Sequence, residues 1–261
     1  MARKPTRAKL RPAEFTTVLF EKRDDIAWVM LNRPAVFNAY NVQMRDDLYQ
    51  VLSAIHDDPE VRAMVLAGAG KAFSTGGDVS EFGQAPSPIV ARWVRFRRDV
   101  WGLLRALSIP TVAAVHGFTV GGGLEMALLC DFTVAAQNTR ICLPETGLGM
   151  IPGVAGTQTA PRRCGLGRGL DLCITGRWID AQEALRVGLV AEVVGLGALN
   201  RSAHEWARRL SRLPRATVAA AKLAVNRGLD MPLVEALEFE RRLARGLEGS
   251  RPKLVEEPYY D

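Results

Sequence analysis

Two glutamates twenty residues apart, each beside a glycine-rich turn, are the residues of this chain best equipped for chemistry. Glu125 lies in GGGLEMALLCD, from Gly121 to Asp131, and Glu145 lies in LPETGLGMIPG, from Leu143 to Gly153. Upstream, KAFSTGGD from Lys71 to Asp78 ends in another glycine pair. Glycine turns expose backbone N–H groups that polarise a carbonyl oxygen, while carboxylates move protons to and from carbon and water. Together they fit chemistry beside a carbonyl.

Each part alone also has a plainer reading. A triple glycine that opens a helix aims N–H groups and the positive helix end at a ligand, which suits an oxyanion and a phosphate equally. It also lets two backbones pack closely. No GxxxxGK[ST] loop accompanies it, and GGG is not the dinucleotide GxGxxG, which weakens the phosphate reading. Glu125 either faces what Gly121 to Gly123 cradle or is a surface carboxylate favoured by the helix dipole. Its apolar neighbours, Leu124 and MALLC, favour the first. Glu145, after Pro144 at a strand end, is otherwise a loop acid that caps a backbone N–H.

The elements that must position these residues follow from periodicity. Two β-branched runs around a polar turn at 22–25 predict a hairpin. Apolar residues at spacings of three and four predict helices over 41–58 and 89–107. Short apolar runs predict strands over 61–67, 110–115, 132–136 and 140–143. Helices are expected from about Gly122 and Gly156, then over 181–187, 199–212, 216–228 and 232–247, with a strand over 189–194. The fold class is α/β: β-β-α repeats over 14–195, then a helical segment over 196–261.

Bulk properties narrow the classes. A chain of 261 residues buries a full core as one large domain. No apolar run is long enough to span a bilayer, which argues against a membrane role. Residues 1–13 carry Arg3, Lys4, Arg7, Lys9 and Arg11 and read as a disordered basic tail. Four cysteines without a CxxC pair or secretory context suit reduced thiols in the cytoplasm. His56, His116 and His204 show no ligand spacing, so no metal is expected. His116 reads as a packed strand-end residue, and Asp78 and Asp131 as structural acids.

KAFSTGGD, AAVHGFTVGGGLEMALLCD and LPETGLGMIPGVAGTQ resemble, in order and spacing, the signature segments of the crotonase, or enoyl-CoA hydratase/isomerase, family. LNRPAVFNAYN resembles its early coenzyme A segment, and TGRWIDAQEALRVGLVAEVV its later helix-strand block. The likeness covers roughly residues 14 to 240. It implies a spiral of β-β-α turns with terminal helices that build a homotrimer or a dimer of trimers. It also implies an acyl-CoA substrate, coenzyme A being part of that substrate, with no covalently bound cofactor.

Residue by residue, the resemblance puts the oxyanion donors at Gly77 and Gly122 and the catalytic acids of the hydratase branch at Glu125 and Glu145. It puts substrate and coenzyme A contacts at Ala35, Val36, Asn38, Ala39, Lys71 and Ala72. Further contacts fall at Ser74, Thr75, Gly76, Asp78, Gly121 and Gly153. Phe82, Trp93, Phe96 and Phe118 are candidates for the acyl pocket, with core packing as the alternative for each. Keeping both glutamates favours hydration over isomerisation, which needs one acid. A scaffold that binds RNA through Arg92, Arg95, Arg97 and Arg98 is the rival of another class, but one amphipathic helix explains that cluster, so nucleic acid is not the expected partner. The chain departs from the family pattern after Glu248, and at Ala155 and Thr159, where Gly and Arg are commoner.

Overall fold

The computed structural model describes residues 15–247. The basic tail at 1–13 and the departing stretch after residue 247 lie outside them. In chain order the structure forms β1 (Val18–Arg23), β2 (Ile26–Leu31), α1 (Val42–Asp57), β3 (Ala63–Gly68), α2 (Pro88–Phe96) and α3 (Val100–Ala106). Next come β4 (Thr111–Val115), β5 (Phe118–Val120), α4 (Gly122–Leu129), β6 (Phe132–Ala136), β7 (Arg140–Cys142) and α5 (Gly156–Cys164). The chain continues through α6 (Leu166–Thr175), β8 (Ile179–Asp180), α7 (Ala181–Arg186) and β9 (Glu192–Val194) to α8 (Leu199–Ser211), α9 (Arg215–Gly228) and α10 (Leu233–Gly246).

The main sheet has the order β1-β2-β3-β4-β6-β9, antiparallel at the first pair and parallel thereafter. Both faces of its centre are covered, which is why β3 and β4 read as unbroken apolar runs rather than alternating ones. One face packs on α1, α3 and α4 through Leu48, Leu52, Leu104, Leu124 and Leu128. The other packs Ile26, Trp28, Val65 and Val134 on Leu199, Ala203 and Ala207 of α8. A second sheet, β5-β7-β8, stands beside it and flanks the glycine turns.

Where expectation and structure part, short elements are the reason. The helix expected over 89–107 is two, α2 and α3. Asp99 restarts it as the cap of α3, accepting the Gly102 N–H at 2.9 Å. Strands β5 and β8 have three and two residues, too few to show alternation, and α6 opens among Gly165, Gly167 and Gly169, which mask its propensity. The strand expected over 189–194 narrows to Glu192–Val194. Helices α9 and α10 pack against each other and have no buried residue. The Lys222–Asp131 and Arg162–Asp230 ion pairs, at 2.8 and 2.9 Å, tie them to the body.

Candidate active site

Helix α4 is apolar all round and entirely buried, so its one acid enters the core with it. Glu125 is 1% exposed, and its Oε1 accepts the N–H groups of Val154 at 2.8 Å and Gly156 at 2.6 Å. Burial pushes its pKa up to about 7; those N–H bonds oppose the rise and the charge of Glu145 adds to it. The turn that holds it is strained, because Ala155 sits at φ 120° with a side chain where the conformation favours glycine.

Glu145 opens a short 3-10 turn after β7. Its Oε2 is buried without a hydrogen-bond partner among the described residues, and burial raises its pKa too. Gly121, at φ 51°, is packed so tightly beside it that a Cβ there would stand 2.6 Å from Oε1 of Glu145. A Cβ on Gly156 would likewise stand 2.9 Å from Oε1 of Glu125. Both carboxylates line one cavity of about 1820 Å³, together with Thr75, Gly76, Gly77, Gly121, Gly122 and Gly153.

The Gly77 segment is held from two sides. Val120 in β5 donates its N–H to Ser74 O at 3.0 Å, and on the opposite edge Tyr40 N–H donates to Gly76 O at 2.8 Å while Asp78 N–H donates to Tyr40 O at 2.9 Å. That pairing leaves the N–H of Gly77 without an acceptor among the described residues, and Gly122, the first residue of α4, has none either. The two loops meet closely, since a Cβ on Gly76 would lie 3.0 Å from Gly122 N. Asp78 pairs with Arg33 at 2.8 Å and accepts from Ser80; these bonds, the Ser80 one first, hold its carboxyl below the usual range.

Other expected contact residues have different places. Asn38 is fully buried and its amide donates to Ala69 O and Ala72 O, while the Ser74 hydroxyl donates to Asn38 O. Asn38, Ala72 and Ser74 therefore join two segments from inside. Lys71, Ala35 and Val36 are exposed and Ala39 is half-buried, all outside the cavity wall. Phe82 lines the cavity, whereas Trp93 is 56% exposed under Arg97 and Phe118 packs between Phe37 and Trp178. Neither of those two reaches the cavity; Val90 and Val94 of α2 do. The Phe96 side chain lies outside the described residues. His116 is buried, with Nε2 3.0 Å from Gly70 O, as a packed strand-end residue. Tyr40 and Trp101 line the cavity and were not expected there; Tyr40 is positioned by a bridge between distant segments, which no periodicity marks, and Trp101 lies on the short helix α3.

The family model for enoyl-CoA hydratase/isomerase matches residues 21–250. The chain belongs to that family. It is 38% identical to the short-chain-enoyl-CoA hydratase of Clostridium acetobutylicum, over 87% of each chain. It is 36% identical to the crotonyl-CoA hydratase of Syntrophomonas wolfei, again over 87% of each. The crystal structure of enoyl-CoA hydratase from Bacillus anthracis superposes with a TM-score of 0.84 at 33% identity, covering 88% of this chain and 90% of that one. The fold is the crotonase fold, and the protein is an enoyl-CoA hydratase-like enzyme of a family that works on CoA thioesters.

Proposed function

We propose that this enzyme adds water reversibly across the 2,3 double bond of an enoyl-CoA thioester. The observation that carries the reading is the meeting, in one cavity, of the buried Glu125 and half-buried Glu145 carboxylates, both of raised pKa, with two N–H groups that have no acceptor among the described residues. The thioester oxygen accepts from Gly77 and Gly122, and that pair of donors stabilises the negative charge that develops there. Such a donor is typically worth about 10²–10³ in rate. A water between Glu125 and Glu145 gives its oxygen to C3 and its proton to the charged carboxylate. The neutral carboxyl delivers a proton to C2 on the same face, so one water is consumed and the pair ends with the one proton it began with. Two acids that burial and mutual repulsion keep from ionising together suit this exchange.

Coenzyme A enters as part of the substrate, and the segment around 35–39 together with Lys71 is the surface on which we propose it lies. We also propose a homotrimer or a dimer of trimers. Leu223, Val225, Leu229, Leu233, Val234 and Leu237 on α9 and α10 are 41–74% exposed, and a neighbouring subunit would cover them. The four free thiols suit a cytoplasmic location.

The test follows the loss of conjugated-thioester absorbance with crotonyl-CoA for wild type, Glu125→Gln and Glu145→Gln. Fast loss in the wild type and at least ~10²-fold slower loss in each variant are expected. Turnover that survives both substitutions would overturn the assignment. Survival of one, with migration of the double bond, would make the enzyme an isomerase.

A further inference from the structure

Tyr40 is attached to the Gly77 segment through its backbone, by the bonds to Gly76 and Asp78, and its side chain turns back across the same segment. The ring meets Trp101 edge-on, with centroids 5.1 Å apart at 64°. A Cβ added to Gly77 would lie 3.8 Å from Cζ of Tyr40, and one added to Gly122 would collide with the Tyr40 hydroxyl. The phenol therefore spans the two glycines, with its oxygen at the Gly122 end, and Tyr40 lines the cavity. An aliphatic side chain would fill this space equally well but would bring no donor.

We propose that the Tyr40 hydroxyl is a third hydrogen-bond donor to the thioester oxygen, beside the N–H groups of Gly77 and Gly122; this rests on the enoyl-CoA reading. A phenol O–H donates readily to an oxygen that gains charge, and tyrosine serves in side-chain oxyanion holes for that reason. Trp101 and the backbone bridge to Gly77 hold the ring in place before substrate arrives. Tyr40 keeps its proton throughout and exchanges none with substrate.

Tyr40→Phe retains the ring and removes the donor. With crotonyl-CoA, kcat is expected to fall about ten-fold or more while KM stays within about three-fold. A second measurement reads polarisation of the carbonyl directly. The absorption of bound 2,4-hexadienoyl-CoA moves to the red as its thioester oxygen is polarised, and the shift is expected to be smaller for Tyr40→Phe than for Tyr40, both in a Glu145→Gln background that slows turnover. An equal red shift overturns the proposal, whatever kcat does. Failure of the hydratase reading looks different: the wild type leaves crotonyl-CoA unchanged, and the spectral comparison still decides the role of Tyr40.

Discussion

Replacing Glu125 by glutamine removes the buried charge and keeps an oxygen for the N–H groups of Val154 and Gly156. The folded protein holds the Glu125 proton more tightly than the unfolded chain, with a pKa of about 7 against an ordinary 4.5. A carboxyl raised in this way stabilises the fold while protonated, and that stability is lost as pH rises from 4.5 through 7. Full ionisation costs roughly 3 kcal/mol at about 1.4 kcal/mol per pK unit. Less than about 1 kcal/mol of this is already lost at pH 5 and nearly all of it at pH 8, so the wild type loses about 2 kcal/mol across that interval. Glutamine carries no charge at either pH and escapes the loss. Its NH₂ group, once buried, costs about 1 kcal/mol at both pH values and cancels in the comparison. Urea unfolding of both proteins at pH 5 and pH 8 gives the difference of differences, in which subunit association common to both drops out. The variant should gain about 2 kcal/mol on the wild type between the two pH values. A gap independent of pH would refute the argument that burial governs this carboxylate.

Three further outcomes follow from the same geometry. Glu145→Gln removes a charge that raises the Glu125 pKa, so carboxyl NMR of labelled Glu125 should report a lower value than in the wild type. Ala155→Gly relaxes the φ 120° position and should raise stability by about 1 kcal/mol in denaturant unfolding, with the bonds to Glu125 kept. Gly121→Ala forces a methyl against Glu145 Oε1 at a φ of 51°, so kcat for crotonyl-CoA should fall by about 10²-fold, while Gly147→Ala, whose Cβ meets nothing within 4 Å, serves as the control.

The motifs made the site legible early, because KAFSTGGD and GGGLEMALLCD carry glycines that the backbone geometry demands: Gly76 and Gly121 stand at positive φ, and Gly123 abuts the backbone of Ser74. Helix α1 was equally legible, since its apolar stripe runs over 16 residues and Asn41 caps it. The side chains that line the cavity opposite the glycines were not. Trp93 and Val94 are adjacent in the helical pattern, yet only Val94 faces the cavity, and a turn of 100° per residue separates the two sides. Phe118 was misplaced for a similar reason. Strand β5 is three residues long, and the face each residue presents is set by pairing with β7 and the bridge between Ser74 and Thr119. Tyr40 was hidden because its position depends on a bridge to Gly77, thirty-seven residues away.

The cavity wall is of two kinds, and they leave the enzyme unequal freedom to diverge. On one side Gly121 and Gly122 touch Glu145 and Tyr40 so closely that no side chain can be added without moving one of those groups. On the other side Val79, Phe82 and Val90 are exposed side chains on a short 3-10 turn and on α2, where a change of size disturbs little else. Random substitution is therefore filtered on the glycine side and tolerated on the valine side. Over evolutionary time a lineage with this architecture holds the glycine side of the cavity fixed while the opposite side drifts, because the side chains there are those that cost least to replace.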